Sequence, residues 1–300
     1  MLGIIIINYN TYEKTVDCIN SIKNTYDGDY RIYLLDNASP NKSGEILREK
    51  YNDDSSIEVI CSNDNLGYAR GNNLCIRKAV DEGCDYALIS NNDIVYKPHA
   101  IDKMLYEIKN EEAFLVGPKV MLPNGNVQKT IKTKAPSFIE YFIYETYIRN
   151  LFKNSYKAYN VIPDSATDVY WIAGCTFLVD LKLFKTIDYF DDYTFLYFEE
   201  YILSEKAKKC DLRIRYCPDA EVLHYHGFSM GGALNIFTRS ANWRSEIYFL
   251  RKYWHWNKFM CWVIWKIRVL EVAFNARKEA DCRKLLDQYK EGKKYLKTSI

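Results

Sequence analysis

Asn91-Asn92-Asp93 follows directly on the hydrophobic run Tyr86–Ser90. Mg²⁺ and Mn²⁺ take oxygen ligands, commonly one or two carboxylates with phosphate oxygens and water. Such a cation neutralises a nucleotide diphosphate as it leaves. A carboxylate at a strand end, Asp93, is placed for that work, although the same three residues can simply form a strand-terminating Asx turn. Further on, Phe195-Leu196-Tyr197-Phe198 leads into Glu199-Glu200. A carboxylate within hydrogen-bond reach of an attacking hydroxyl can take its proton. The competing reading is the ordinary preference of acidic residues for the first turn of a helix.

Two other clusters carry chemistry. Asn63-Asp64-Asn65-Leu66-Gly67-Tyr68-Ala69-Arg70-Gly71-Asn72-Asn73 joins a strand to a helix. Its glycines let a backbone approach a ligand, and a helix N-terminus favours phosphate. The spacing is neither G-x-G-x-x-G nor a Walker loop, which argues against dinucleotide-binding and NTPase classes. A capped helix start would look the same. His224-Tyr225-His226-Gly227 holds two of the four histidines and follows the apolar Ala220–Leu223. A neutral imidazole ligates transition metals, or it serves as a hydrogen-bonded structural group.

The elements that must position these residues alternate. Leu2–Ile7 is a continuous apolar run with four isoleucines, the pattern of a strand buried on both faces. Helical spacing follows from Thr11 to about Asn24. Strands are predicted at Arg31–Asp36, Ile57–Cys61 and Asp85–Ser90, and helices at Gly44–Tyr51, Tyr68–Glu82 and Pro98–Lys109. Four strand–helix alternations predict a doubly wound, mostly parallel sheet flanked by helices. Polar residues follow each strand, at Asn8, Asp36, Asn63 and Asn91, and open α/β sheets bind ligands outside the carboxyl ends of their strands. Beyond Ala113 the pattern changes. Strands are read at Phe114–Val120, Tyr170–Val179 and Arg213–Cys217, an aromatic helix over Ser137–Phe152 and a helix at Glu199–Cys210.

Composition bounds the rest. The 300 residues are 48% hydrophobic and 27% charged, a globular balance. Nine cysteines, odd in number and without any C-x-x-C, make a zinc cluster improbable. An N-terminus that reads as a strand rather than a signal peptide joins them in predicting free thiols in a reducing cytoplasm. The net charge of +2 is uneven: Arg244–Ile300 carries 14 basic against 6 acidic residues, leaving the preceding chain at −6. The basic segment also holds Trp254, Trp256, Trp262 and Trp265, with Trp243 just before it. Its longest uncharged run there, Phe259–Trp265, is far short of the about 20 residues that span a bilayer. It suits an anionic membrane surface, or packing on the catalytic body or on a second copy of the chain as a homodimer. No nucleic-acid partner is expected.

The order of the clusters resembles the family 2 glycosyltransferases of GT-A fold, particularly rhamnosyltransferase-like members that build bacterial surface polysaccharides. The resemblance runs from Ile4 to about Ser229. It rests on Ile5-Ile6-Ile7-Asn8-Tyr9-Asn10, Asp36-Asn37-Ala38-Ser39, Asn63-x-Asn65-x-Gly67-Tyr68-Ala69-x-Gly71-Asn72-Asn73, Asn91-Asn92-Asp93, Trp171-x-x-Gly174, Tyr197-x-Glu199-Glu200 and His224. It implies that Asn8, Tyr9 and Asp36 hold the nucleoside, and that Asn65, Gly67, Arg70, Asn73 and Asn92 line the nucleotide pocket. It further implies Asp93, with Asn91 and His224, as ligands of Mn²⁺ or Mg²⁺. Trp171 and Gly174 would flank donor sugar or acceptor, and Glu200 would be the catalytic base. Two departures stand out. The family's metal motif usually has an acid at both ends or reads Asn-Pro-Asp, and its base is usually Asp, which leaves Glu199 as the alternative to Glu200.

The resulting expectation is a catalytic domain over 1–228, with a nucleotide-binding half to about 110 and an acceptor half after it, followed by a helical segment over 229–300. The implied reaction is inverting transfer of rhamnose or another hexose from a dTDP- or UDP-sugar to a lipid-linked glycan at the inner face of the cell membrane. A nucleotidyltransferase would call for an N-terminal phosphate loop, which Asn8-Tyr9-Asn10-Thr11 does not provide. A degenerate sugar-binding or scaffold member of the same fold is the non-enzymatic alternative.

Overall fold

The computed structural model describes residues 1–146, 148, 151–152, 161–225, 236–276 and 280–291. His226 and Gly227 of the histidine cluster, and Ser229, lie outside the described residues. The first half alternates as predicted: β1 (Leu2–Asn8), α1 (Tyr12–Thr25), β2 (Tyr30–Asp36), α2 (Ser43–Lys50), β3 (Ile57–Cys61), α3 (Gly67–Asp81) and β4 (Tyr86–Asn91). β5 (Ile94–Tyr96), α4 (Ala100–Asn110), β6 (Leu115–Met121), β7 (Ile131–Lys132) and α5 (Phe138–Tyr144) follow. Then come β8 (Thr167–Asp168), β9 (Trp171–Ile172), β10 (Thr176–Asp180), α6 (Leu181–Thr186), α7 (Glu199–Lys209) and β11 (Ile214–His224). Among the described residues three helices come last: α8 (Ile236–Lys252), α9 (Lys258–Ala276) and α10 (Ala280–Glu291).

The main sheet runs β3-β2-β1-β4-β10-β6-β11-β5, with β8 paired to β11. β3, β2, β1 and β4 are mutually parallel. β10 lies antiparallel to both β4 and β6, so β6 and its parallel neighbour β11 point the same way as β1. Six strands thus share one direction, and β10, β5 and β8 oppose it. The isoleucine run of β1 feeds both faces: Ile4 and Ile6 pack with Cys18, Ile19 and Ile22 of α1, whereas Ile5 packs with Ala69, Cys75 and Ile76 of α3. Full burial of such a side chain contributes about 1.5–3 kcal/mol, which is why a continuous run of apolar residues, rather than an alternating one, marks this strand.

Two readings change in the second half. Tyr170–Val179 is not one strand. Trp171–Ile172 pairs with Ile131–Lys132 in a small separate sheet, and only Thr176–Asp180 joins the main one. Gly174 sits at the break, its carbonyl accepting from the Tyr68 hydroxyl at 2.6 Å and its N–H donating to Glu200 at 2.8 Å. Conversely, the stretches predicted as Arg213–Cys217 and Ala220–Leu223 fall, from Ile214 on, in the single strand β11, whose register shifts between Cys217 and Glu221. Pro218 in that interval has no N–H to give the ladder. The aromatic helix is also shorter than predicted. It begins at a Ser137–Glu140 capping box and ends at Tyr144.

The C-terminal helices form a third core. Trp243, Ile247 and Phe249 of α8, Cys261, Ile264 and Trp265 of α9, and Tyr289 of α10 pack with Tyr141 of α5 and with Phe198, Tyr201 and Ile202 around the start of α7. Buried within it, Glu246 takes hydrogen bonds from the Tyr141 hydroxyl and the Arg268 guanidinium. One face of the segment therefore packs on the body. Phe259, Trp262 and Leu270 of α9 remain exposed on the other. Among the described residues no helix is long and apolar enough to cross a membrane. The eight described cysteines are free thiols, six of them buried.

Candidate active site

Sheet register brings the polar clusters together. Asn8 pairs with Asp36 across β1 and β2, and Ile7 pairs with Asn91 across β1 and β4. Asn8 therefore ends its strand beside Asp36 and donates to its Oδ1 at 2.6 Å. The Asp36 carboxylate also accepts the Ser39 hydroxyl at 2.6 Å and the Ser39 N–H at 3.0 Å. A carboxylate has about four acceptor sites, so one remains for a donor on a ligand. Tyr9 follows half-buried, before Asn10 in the left-handed region at φ 63°. Gly44 lies so close beneath Asp36 that a Cβ there would stand 2.7 Å from its Oδ2.

Asn92 does not face the same way as Asp93. Its amide donates to the Thr11 hydroxyl at 2.7 Å and the Thr15 hydroxyl at 2.8 Å, and Thr15 donates on to Asn8 Oδ1 at 2.8 Å. Asn92 is a brace joining β4 to the Asn8–Asp36 pair. Asn91 is half-buried at the end of β4. Asp93 is buried, with Oδ1 lacking a hydrogen-bond donor, and 3.2 Å from it stands His224 Nε2. The pairing of His224 with Ile94 across β11 and β5 puts them side by side. His224 Nδ1 lies 2.7 Å from the Gln128 carboxamide oxygen. With Nδ1 donating to that oxygen, Gln128 fixes the orientation of the imidazole whose Nε2 faces the Asp93 carboxylate.

A buried carboxylate oxygen without a donor, beside an imidazole nitrogen, is an arrangement that a cation can bridge. Ligands about 2.1 Å from one octahedral cation and at right angles stand about 3.0 Å apart, close to the observed separation. Gln128 would then be the outer partner that fixes the imidazole. Among the described residues no cluster of three or more His, Cys, Asp or Glu side chains forms. The pair would leave other positions to phosphate oxygens and water. The residues present fit a divalent cation of Mg²⁺ or Mn²⁺ type.

The segment 65–73 ties this end of the sheet to the Glu199-Glu200 pair. Asn37 donates to Asn65 at 3.0 Å and accepts from the Leu66 N–H at 2.8 Å. Gly67 has φ 74°, and a Cβ on it would fall 2.3 Å from the Phe195 carbonyl oxygen, which accepts the Tyr68 N–H at 2.8 Å. Only glycine allows that approach. Arg70 Nε donates to the Asp192 carbonyl at 3.0 Å. Asn73 is buried, and its carboxamide is taken up by the Phe190 backbone and the Asp192 side chain. Arg70 and Asn73 therefore hold the segment that leads into α7. Asp191 in that segment accepts from Tyr248, Tyr253 and Lys252 of the C-terminal part.

Tyr197 and Phe198 both have left-handed backbones, at φ 70° and 68°, immediately before the two glutamates. Such strain persists where surrounding contacts over-determine it, and it clusters at functional sites. Successive helical residues point about 100° apart, as 3.6 residues per turn requires, and the pair separates accordingly. Glu199 is buried with Oε1 lacking a partner. Glu200 lines a cavity with Trp171 and Tyr201 and accepts the Gly174 N–H through Oε1. Burial raises both carboxyls above their usual range, and the neighbouring charge of Glu200 adds to the rise at Glu199.

That shift has a stability consequence. The fold favours protonated Glu199, so its contribution is present below the ordinary carboxylate pKa of about 4.3 and is lost as pH rises through the raised value. Glu199→Gln keeps the protonated shape. Its melting temperature should exceed that of the wild-type protein by a margin that widens from pH 4 to pH 8; a constant margin would show that the charge is not the cause. Gly174→Ala tests the other carboxylate. Its Cβ would fall 2.6 Å from Glu200 Oε1, and displacement of the carboxylate should lower turnover about 10²-fold with nucleotide binding retained by titration.

The geometry can now be set beside known proteins. The model of "Glycosyl transferase family 2" matches residues 3–169, more than half of the chain. The chain belongs to that family. This glycosyltransferase is 25% identical over 244 residues to the N-acetylglucosaminyl-diphospho-decaprenol L-rhamnosyltransferase of Mycobacterium tuberculosis, covering 77% of the chain and 78% of that protein. It is 24% identical over 236 residues to rhamnosyltransferase WbbL of Escherichia coli, covering 75% and 83%. Among solved structures, GalNAc-T7 with UDP, GalNAc and Mn²⁺ superposes with a TM-score of 0.63 at 12% identity, over 84% of this chain but only 47% of that one. S. aureus TarS 1–349 superposes with a TM-score of 0.55 at 15% identity, over 96% and 70%. At these identities the structural likeness shows the fold, and the GT-A expectation is met.

The family motifs did not reveal several residues of this glycosyltransferase's site. Gln128 and Thr15 act through side chains that reach across the fold from positions with no local signature, whereas Ser39 lay within the Asp36-Asn37-Ala38-Ser39 motif without its contact to Asp36 being foreseen. Asn37 and Tyr68 were visible within motifs, but their bridging contacts were not.

Proposed function

We propose that the chain is an inverting hexosyltransferase that moves rhamnose or another hexose from a dTDP- or UDP-sugar to a hydroxyl of a lipid-linked surface glycan. The observation that carries this is the Gly174 N–H held on Glu200 Oε1 at 2.8 Å beside a cavity. It orients the carboxylate and leaves its second oxygen for an acceptor proton. In the reaction the acceptor oxygen bonds to the anomeric carbon as the bond from that carbon to the diphosphate oxygen breaks. The acceptor proton passes to Glu200. Asn8, Tyr9 and Asp36 would bind the nucleoside, with Asn65 and Gly67 along the diphosphate side. Arg70, Asn73 and Asn92 would contribute mainly by holding these elements. Asp93 and His224, with Asn91 nearby, would hold Mn²⁺ or Mg²⁺, which when bound neutralises charge on the leaving diphosphate. Trp171 and Gly174 would border the acceptor.

The domain division proposed is 1–228 for catalysis and 229–300 for the helical segment. The mycobacterial relative is named for N-acetylglucosaminyl-diphospho-decaprenol, which favours a lipid-linked acceptor here. Exposed Phe259, Trp262 and Leu270, with Lys266 over the Trp262 ring at 5.5 Å, would suit contact with an anionic membrane surface.

The direct test is thermal stabilisation by UDP, dTDP, GDP and ADP with Mn²⁺. Saturation a hundredfold above the dissociation constant adds about 2.7 kcal/mol to native stability. A metal-dependent shift with UDP or dTDP supports the proposal and selects the donor class. A shift with GDP or ADP alone, or with none, overturns the donor assignment.

A further inference from the structure

The C-terminal helices form one side of the open cavity beside Glu200. It has a volume of about 250 Å³, and its wall includes Tyr141, Trp171, Glu200 and Tyr201 from the body, with Asn242 of α8 and Arg268 of α9. The volume lies below the about 300–1,000 Å³ of pockets that enclose drug-sized ligands. It suits one sugar ring rather than a nucleotide or an oligosaccharide. Trp171 and Tyr201 stand 5.5 Å apart with their planes inclined by 37°. Tyr201 is buried against Phe198 and Phe249, so the half-buried Trp171 is the ring that can offer apolar surface to a sugar while leaving its hydroxyls to polar groups.

The charges disfavour phosphate. Arg268 is bound by Glu246 and Glu271, and Glu145 in the wall is paired with Lys132. Adding Glu200, the carboxylates in and behind the wall outnumber the cations, so an anion would meet net repulsion. Asn242 differs from its neighbours. It is half-buried, it lines the cavity, and its carboxamide makes no hydrogen bond to any described residue. A donor and an acceptor in that position suit the vicinal hydroxyls of a sugar.

We propose that this cavity receives the terminal sugar of the acceptor as an uncharged pyranose, and that Asn242 is the specificity-determining contact supplied by the C-terminal segment. The proposal rests on Glu200 as the base, since the cavity would hold the sugar whose hydroxyl reaches that carboxylate. Any phosphate of a lipid-linked acceptor would remain outside. The C-terminal helices would then complete the acceptor site.

Saturation-transfer NMR on the full chain tests this with methyl glycosides of a hexose, an N-acetylhexosamine, a 6-deoxyhexose and a hexuronic acid. At least one neutral glycoside should bind, and the hexuronate should bind more weakly than all neutral ligands. Asn242→Leu, of similar volume, and Asn242→Ala should each weaken the preferred glycoside about tenfold, the loss of roughly one buried hydrogen bond. Melting temperature and the stabilisation by UDP or dTDP should stay unchanged in both variants. Binding of no neutral glycoside, equal binding of the hexuronate, or wild-type affinity in both variants would overturn the proposal. These arms need neither nucleotide nor turnover, so their failure is separable from failure of the transferase reading, which would show as absent nucleotide stabilisation.

Discussion

Glu200→Gln is expected to lower acceptor-dependent transfer by about 10²–10⁴-fold, the usual contribution of a positioned general base. The substitution keeps the side chain's length, and the glutamine carbonyl can still accept the Gly174 N–H that now reaches Oε1 at 2.8 Å. Nucleotide stabilisation should therefore be unaffected. The pH dependence supplies a second signature. Burial raises the Glu200 carboxyl, so the wild-type rate should fall on acidification at a pH above the ordinary carboxylate range, because the protonated base cannot accept. Residual activity in Glu200→Gln should lack that limb. If transfer in this variant stays within a few-fold of wild type and keeps the limb, the base is elsewhere. Glu199 would be the next residue to test, although its burial and its partnerless oxygen set it away from the cavity.

Asp93→Asn should remove metal-dependent stabilisation by the nucleotide and lower turnover by about 10²–10³-fold, the scale on which a stabiliser of developing charge acts. The carboxylate is buried 3.2 Å from His224 Nε2, and the amide that replaces it can present N–H to that nitrogen. The variant would then keep a polar contact to the imidazole while its response to Mn²⁺ disappears. Retention of the Mn²⁺ response in Asp93→Asn would exclude Asp93 as a ligand.

The first half of the fold was legible because its strands are buried on both faces. Ile4 and Ile6 must be apolar for one layer and Ile5 for the other, as a strand covered on both faces requires. The carboxyl-end polar clusters were legible for the same reason: in-register parallel pairing aligns Asn8 with Asp36. The second half lacked such a rule. The Tyr170–Val179 stretch is continuous in apolar character, yet Gly174 breaks it to serve Tyr68 and Glu200. A contact partner 106 residues away in the chain leaves no local trace. The same holds for the Arg70 and Asn73 contacts, which local spacing places on a helix start and tertiary structure turns toward residues 190–192. The charge imbalance of the C-terminal segment was visible. Its division into a packed face around Trp243 and Trp265 and an exposed face at Phe259 and Trp262 depends on which side of α9 the body occupies.

The near contact of Gly67 with the Phe195 carbonyl bears on how such enzymes can be recombined. The segment proposed to face the nucleotide and the segment that carries the glutamates are cut to a shared profile, one having given up its side chain where the other lays its backbone. Grafting a donor-recognition loop from a relative would import a mismatched edge unless residues 190–198 travelled with it. Retargeting this scaffold to another nucleotide-sugar is thus a matter of exchanging two distant stretches as one unit, and a library that varies either stretch alone would sample mostly misfitting pairs.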